Sequence, residues 1–284
     1  MLRQDANALA AALGLTGRDA RAEAELLLRR ALGVSRARLA AHPELAAEAH
    51  SHSGYARYLQ RRLAGEPVAY ILGEREFYGL AFHVTPDVLI PRHETELLVD
   101  LALARIPEDE PRTILDIGTG SGCIAAVLAH LRPRSRLIAT DISRAALDVA
   151  ARNVRRHALT NLELRLGDGF APVPGERFDV IVSNPPYLAA SDSHLRAGDL
   201  RFEPEHALTP GADGLQCLRT IIAQAPVHLS TNGWLLLEHG YDQGDAVAAL
   251  LRDAGLECVF TARDLAGVPR VGGGRAGGLP SVAL

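Results

Sequence analysis

Asn184, Pro185, Pro186 and Tyr187 stand together directly after the apolar run FDVIVS. The Asn184 side-chain oxygen and the Pro185 carbonyl are two acceptors one residue apart, able to take hydrogen bonds from the two N–H groups of a single planar nitrogen. An amide or exocyclic amino nitrogen is a poor nucleophile because its lone pair is delocalised, and it must become more tetrahedral to attack a methyl group. Hydrogen bonds to both N–H groups hold it in line and favour that change. The prolines lack N–H groups and stiffen the loop, so its carbonyls stay aimed. Tyr187 offers an aromatic face on which a planar amide or base could stack. The competing reading is a proline-rich turn without chemistry.

A second segment, Asp116-Ile117-Gly118-Thr119-Gly120-Ser121-Gly122, follows the apolar run RTILDI and opens a helical pattern. Its glycines allow a tight turn and a close approach of ligand to backbone. A dinucleotide fingerprint is G-x-G-x-x-G. Here the third glycine comes one residue early and Cys123 occupies the expected place, a spacing like that of methyltransferase loops that hold S-adenosylmethionine. Asp116 suits a cationic aminoacyl group and would be unwelcome beside pyrophosphate. Asp141, closing the run RLIATD and followed by Ile142, could accept from two ribose hydroxyls or could cap the next helix. Asp168, in Gly167-Asp168-Gly169-Phe170, could take an adenine amino group or could serve only its own turn. A sulfonium methyl already carries a good leaving group, so no metal is needed. None of the eleven histidines forms a convincing ligand cluster, and His50 and His52 read as exposed.

Composition excludes other chemistry. All 30 basic residues are arginine, so no lysine is present to form a Schiff base or a P-loop contact. A formal net charge of −4 argues against a whole-chain surface for gripping duplex nucleic acid. Cys123, Cys217 and Cys258 have neither metal nor redox spacing and read as reduced cytosolic thiols. The first residues lack a secretory pattern, and no run of about 18 apolar residues exists, so a cytoplasmic protein without a membrane span is expected.

The elements that must position these residues follow from periodicity. Residues 1–65 repeat apolar positions at helical spacing, with breaks at Thr16-Gly17-Arg18-Asp19 and His42-Pro43. This small bundle carries ten arginines against six acidic residues. It reads either as a solvated surface or as a docking face for a negatively charged partner. Residues 66–95 turn to Pro, Gly, β-branched and aromatic types and are expected to be a strand-rich linker with a hairpin. From 96 to 284, short apolar runs alternate with amphipathic helices, which predicts an α/β layered fold on a mostly parallel sheet with its ligand at the strands' carboxyl ends. GVPRVGGGRAGGLP reads as a glycine-rich loop, and the final SVAL could add an edge strand.

With those motifs together, the chain resembles the PrmC/HemK family of release factor glutamine methyltransferases. The narrower marks are Tyr70-Ile71-Leu72-Gly73, Phe77-Tyr78-Gly79, Leu89-Ile90-Pro91-Arg92-His93-Glu94-Thr95-Glu96, Phe202-Glu203-Pro204-Glu205-His206-Ala207-Leu208, Gly211-Ala212-Asp213-Gly214-Leu215 and Asp264-Leu265-Ala266-Gly267. The resemblance implies a Rossmann-like class I methyltransferase with a seven-stranded sheet, a helical substrate-docking domain and a hairpin linker. It implies methyl transfer from S-adenosylmethionine, leaving S-adenosylhomocysteine, to the glutamine of the Gly-Gly-Gln motif in class I release factors. The cofactor would then lie over Gly118, Thr119, Gly120, Ser121 and Gly122, with Asp141 on the ribose. Asn184, Pro185, Pro186 and Tyr187 would hold the glutamine. Arg92, Glu94 and Glu96 belong to the same expected substrate site, although Glu94 and Glu96 equally suit a helix N-terminus. The family's aromatic residue after the acid matching Asp168 is replaced here by Gly169, with Phe170 next. A monomer without sequence-specific nucleic-acid binding is expected. Two other readings remain: an adenine or guanine amino methyltransferase acting on DNA or RNA, and a non-catalytic cofactor-binding protein.

Overall fold

The computed structural model describes residues 2–45 and 53–277. His50, His52 and the final SVAL lie outside the described residues. The chain divides into two compact units, Met1–Glu74 with Arg196–Phe202, and Arg75–Leu195 with Glu203–Leu284.

The first unit is helical: α1 (Leu2–Leu13), α2 (Gly17–Leu32), α3 (Arg36–Ala41), α4 (Ser53–Leu63) and α5 (Val68–Leu72). Thr16 caps α2 by accepting from the Asp19 N–H at 3.2 Å, while its hydroxyl donates to the Asp19 carboxylate at 2.7 Å. Leu27, Leu28, Leu39, Tyr55 and Ile71 form a core. Within that unit the buried Tyr55 hydroxyl donates to Asp5 at 2.9 Å. Residues 68–72, expected in a strand-rich linker, are helical because Pro67 starts a turn that buries Ala69, Tyr70 and Ile71 before Gly73 closes it in the left-handed region. The segment Arg196–Phe202 belongs with these helices because Arg62, 3% exposed, bonds Asp199 at 2.9 Å as well as Glu23 at 2.7 Å.

In the second unit a hairpin, β1 (Glu74–Phe77) and β2 (Leu80–His83), precedes α6 (Glu96–Leu103). Then come β3 (Thr113–Ile117), α7 (Cys123–Leu131), β4 (Arg136–Asp141), α8 (Arg144–Arg156), β5 (Leu162–Leu166) and β6 (Phe178–Ser183). They are followed by α9 (Gln216–His228), β7 (Leu229–Glu238), α10 (Gly244–Asp253), β8 (Glu257–Arg263) and β9 (Pro269–Arg275). The seven-stranded sheet runs β5-β4-β3-β6-β7-β9-β8. Strands β3 to β7 pair in parallel and β9 is antiparallel to both neighbours. Side chains alternate across β3: Ile114 packs with α6 and α7 on one face, while Leu115 and Ile117 pack with α9 and α10 on the other. The order therefore reverses at β3 and β6, where a crevice opens beyond the carboxyl ends. The register Ile117↔Ser183 and Ser183↔Leu237 brings Gly118, Asn184 and Glu238 to that one edge.

Within the glycine-rich stretch expected as a loop, Pro269–Arg275 is instead β9, filling the gap between β7 and β8. Its glycines serve close packing. A Cβ on Gly273 would lie 2.6 Å from the Phe260 ring and 2.8 Å from Leu236. Hydrophobic patterning misses such a strand because neighbouring elements supply its apolar surface.

Candidate active site

A cavity of about 440 Å³ lies at the switch between β3 and β6, well matched to a small-molecule ligand. The loops ending β3, β4, β5 and β6 form its floor, residues 87–89, Pro91, Arg92 and Thr95 one wall, and His206, Ala207, Thr209 and Pro210 with α9 another. Gly118, Gly120 and Gly122 all take positive φ, which turns the chain from β3 into α7. The loop is sewn to β4: Gly118 and Thr119 N–H groups donate to the Thr140 carbonyl at 2.9 and 3.0 Å.

Asp141 sits on this floor. Its carboxylate accepts from the Gly120 N–H and the Ser143 N–H, each at 2.8 Å. Those bonds lock its orientation and leave lone pairs for a ligand's hydroxyls. The role of capping α8 falls to Ser143, whose Oγ accepts from the Ala146 N–H at 3.2 Å. Beside it, Ile142 is an apolar side chain 65% exposed on the cavity wall. Asp168 is exposed on the rim and its side chain makes no hydrogen bond among the described residues, so the turn does not use it. Gly169 and Phe170 also line the cavity. The buried Phe170 stacks on His228 at 4.4 Å between ring centroids, so one ring face is committed to the core.

Asn184, Pro185 and Pro186 line the opposite side of the floor. The Asn184 side-chain N–H donates to Thr95 Oγ1 at 3.2 Å. Its Oδ1 takes no bond among the described residues. Thr95 is buried, lines the cavity, and was not singled out by sequence. The 3-10 turn at His93–Thr95 places it there, between two glutamates that point elsewhere.

Five expected site residues are not in the cavity wall. Asp116 lies beneath the glycine loop, 1% exposed, accepting from the Thr119 hydroxyl at 2.6 Å. Burial pushes its carboxyl up to about 7, against the pull of Thr119. Gly122 has turned away to face Ala150. Tyr187 does not offer its ring to the cavity: it packs on the core, and its hydroxyl donates to Glu238 at 3.2 Å. Burial raises that phenol well above its ordinary value. Its carbonyl accepts from Gln243 at 3.0 Å and leaves so little room that a Cβ on Gly214 would lie 2.4 Å away. Glu94 is exposed, and Glu96 accepts from the Tyr78 N–H at 3.0 Å, tying the hairpin turn to the start of α6. Arg92 does reach the cavity, paired with Glu203, whose side chain is fully buried and also accepts from the Ile90 N–H at 3.1 Å.

Two family profiles match the chain: the PrmC N-terminal domain over residues 2–73 and the methyltransferase small domain over 94–244. Curated relatives match nearly end to end. A release factor glutamine methyltransferase of Xylella fastidiosa is 48% identical over 263 residues, covering 93% of this chain and 96% of its own. The chain belongs to the release factor glutamine methyltransferase family. The Coxiella burnetii member is 45% identical over 251 residues, covering 88% of this chain and 90% of its own. Among solved structures, a methyltransferase from Pyrococcus furiosus has the same fold at a TM-score of 0.53 and 19% identity, covering 79% of this chain and all of its own. A 16S rRNA methyltransferase of Thermus thermophilus, crystallised with AdoMet and guanosine, also scores 0.53 at 19% identity, covering 72% and 49%. In this family member, the motif loops and the cavity coincide at the same sheet edge.

Proposed function

We propose that this methyltransferase transfers a methyl group from S-adenosylmethionine to the side-chain amide nitrogen of the glutamine in the Gly-Gly-Gln motif of class I release factors. The observation that carries the reading is the Asn184 amide. With its N–H spent on Thr95, its oxygen is the acceptor left for the cavity that Asp141 and the glycine loop also line. The donor's fit rests on the positive-φ loop, on Asp141 with lone pairs to spare, and on the exposed apolar Ile142. Gly118, Thr119, Gly120, Ser121, Asp141, Ile142, Asp168, Gly169 and Phe170 would hold it. Bound there, it supplies an electrophilic sulfonium methyl and leaves as S-adenosylhomocysteine.

The chain's own contribution is alignment. Asn184 Oδ1 and the Pro185 carbonyl accept from the two amide N–H groups of the substrate and favour a more tetrahedral nitrogen. Arg92, fixed by Glu203, stands at the wall where the peptide around the glutamine would enter. The arginine-rich helical unit is the proposed docking surface for the release factor, and the protein acts as a cytoplasmic monomer.

The test is labelled methyl transfer from S-adenosylmethionine to purified release factor, to its glutamine-to-alanine variant, and to DNA. Label should enter only the intact release factor. Asn184→Ala should bind the donor but lose most transfer, about 100-fold by analogy with deleting one preorganised hydrogen-bonding group. Normal turnover by Asn184→Ala, or label on DNA alone, rejects the reading.

A further inference from the structure

Asn153 stands in α8 with no exposure to solvent. Asparagine is a weak helix former, so its place on the buried face of a helix needs another cause. Its Oδ1 accepts from the His83 N–H at 2.7 Å. Its Nδ2 donates to the His83 carbonyl at 3.0 Å and to the Ser121 carbonyl at 2.8 Å. One amide thus joins the last residue of β2 to the glycine-rich turn, although the two lie 70 and 32 positions from it in the chain. We propose that Asn153 is a positioning residue for the methyl donor, holding the glycine loop in fixed register with the hairpin that leads into a wall of the cavity. The proposal rests on the reading of that loop as the S-adenosylmethionine site.

Two neighbouring positions of α8 carry the back of the loop. A Cβ on Gly122 would lie 3.1 Å from the Ala150 Cβ, so the chain there rests directly on the helix. Asn153 is three residues further on, on the same helix face, and grips the Ser121 carbonyl. The hairpin lies along the same helix. His157, four residues after Asn153, donates from Nε2 to the Ala81 carbonyl at 3.0 Å. Four helical residues rise ~6 Å and two strand residues ~6.6 Å. Asn153 and His157 therefore meet alternate backbone groups of β2, at His83 and Ala81, without bending either element. Beyond His83 the chain enters the cavity wall at Asp87, while Ser121 lines the cavity beside Gly118 and Gly120.

The amide is the only group of this size that meets the demand. It must accept one N–H and donate to two carbonyls from a single planar group. An aspartate of the same shape still accepts from the His83 N–H, but it turns an oxygen toward both carbonyls and repels Ser121. The acceptor side is held separately, because Asn184 hangs from Thr95. A displaced glycine loop should therefore be felt by the donor and not by the protein substrate.

The experiment uses the full chain with S-adenosylmethionine and a purified class I release factor. Asn153→Asp should raise the donor Kd, read by titration calorimetry, and the donor KM by about ten-fold or more, the worth of one well-made hydrogen bond turned repulsive. With saturating donor, kcat should stay within about three-fold and KM for the release factor within about two-fold. Asn153→Ala adds no repulsion and should weaken the donor less than Asn153→Asp. A residue that only fills space would give the reverse order, since alanine leaves the larger void, and that order overturns the proposal. So does a donor Kd unchanged in both variants, whatever their melting temperatures. Should Asn153→Asp fail to fold, hydrogen exchange of the wild type decides. His83 is not in the cavity wall, yet S-adenosylhomocysteine should slow exchange of its amide together with those of residues 118–122. Slowing confined to the loop overturns the proposal. If the wild type itself fails to bind S-adenosylmethionine, the functional reading fails first. If it binds and both variants bind as tightly, only this inference fails.

Discussion

Replacing Asp116 by asparagine should invert the stability order of variant and wild type between acid and alkaline pH. In the folded chain the Asp116 carboxyl is pushed by burial from an ordinary 3.8 to about 7. In the unfolded chain it titrates near its ordinary value. Between those values the folded state holds a proton that the unfolded state has lost, so stability falls as pH rises. The contribution is fully present below about pH 4 and is gone above about pH 7. Three pH units at ~1.4 kcal/mol each give roughly 4 kcal/mol as an upper bound. Asparagine does not titrate, and its oxygen can still accept from the Thr119 hydroxyl. Its NH2 group, however, would replace an Oδ1 that has no partner among the described residues, at a cost of about 1–3 kcal/mol. The variant should therefore be less stable than wild type below about pH 4 and more stable at pH 8, by about 1–3 kcal/mol each way. Urea unfolding at the two pH values measures this, followed by the fluorescence of the single tryptophan, Trp234, which lies in β7 of the same unit. A stability difference that does not change with pH would refute the argument that Asp116 is a buried, proton-holding scaffold.

Three other substitutions test the site's construction. Asp141→Ala should weaken S-adenosylmethionine binding by about 10- to 100-fold, since it removes a hydroxyl acceptor and the anchors of Gly120 and Ser143; titration calorimetry reports it, and unchanged affinity removes the assigned role. Gly214→Ala forces a Cβ to 2.4 Å from the Tyr187 carbonyl at a φ of +71°, so the loop must move. It should cost about 1–3 kcal/mol in thermal stability and lower kcat more than donor affinity. Arg92→Ala removes the guanidinium paired with the fully buried Glu203 side chain, and its melting temperature should fall by the equivalent of about 3–5 kcal/mol at pH 8.

The sequence by itself determined the elements that rest on local rules. The strand Arg136–Asp141 has the limits its apolar run predicts, and the short strands and amphipathic helices alternate in the expected α/β pattern. The Gly118–Gly122 loop and the Asn184–Pro186 turn are local as well, because positive φ and missing N–H groups are properties of the residues themselves. Their arrival at one cavity was legible too, because parallel strands end together. Only the tertiary structure decided which buried polar groups meet. Glu203 lies 111 positions from Arg92, and Glu238 lies 51 positions from Tyr187. Neither separation leaves a periodic trace: the pairing of β6 with β7 sets Glu238 beside the loop that carries Tyr187, and the packing of two irregular segments brings Arg92 to Glu203. The same holds for β9, whose glycines read as a loop until the Phe260 ring and Val247 are seen to occupy the space their side chains would need. Tyr187 shows the converse: its type suggested a stacking surface, but the core claims its ring and Glu238 its hydroxyl. Burial, which sets both the ring's direction and the carboxyls' proton affinity, is a property of packed elements and is absent from any one of them.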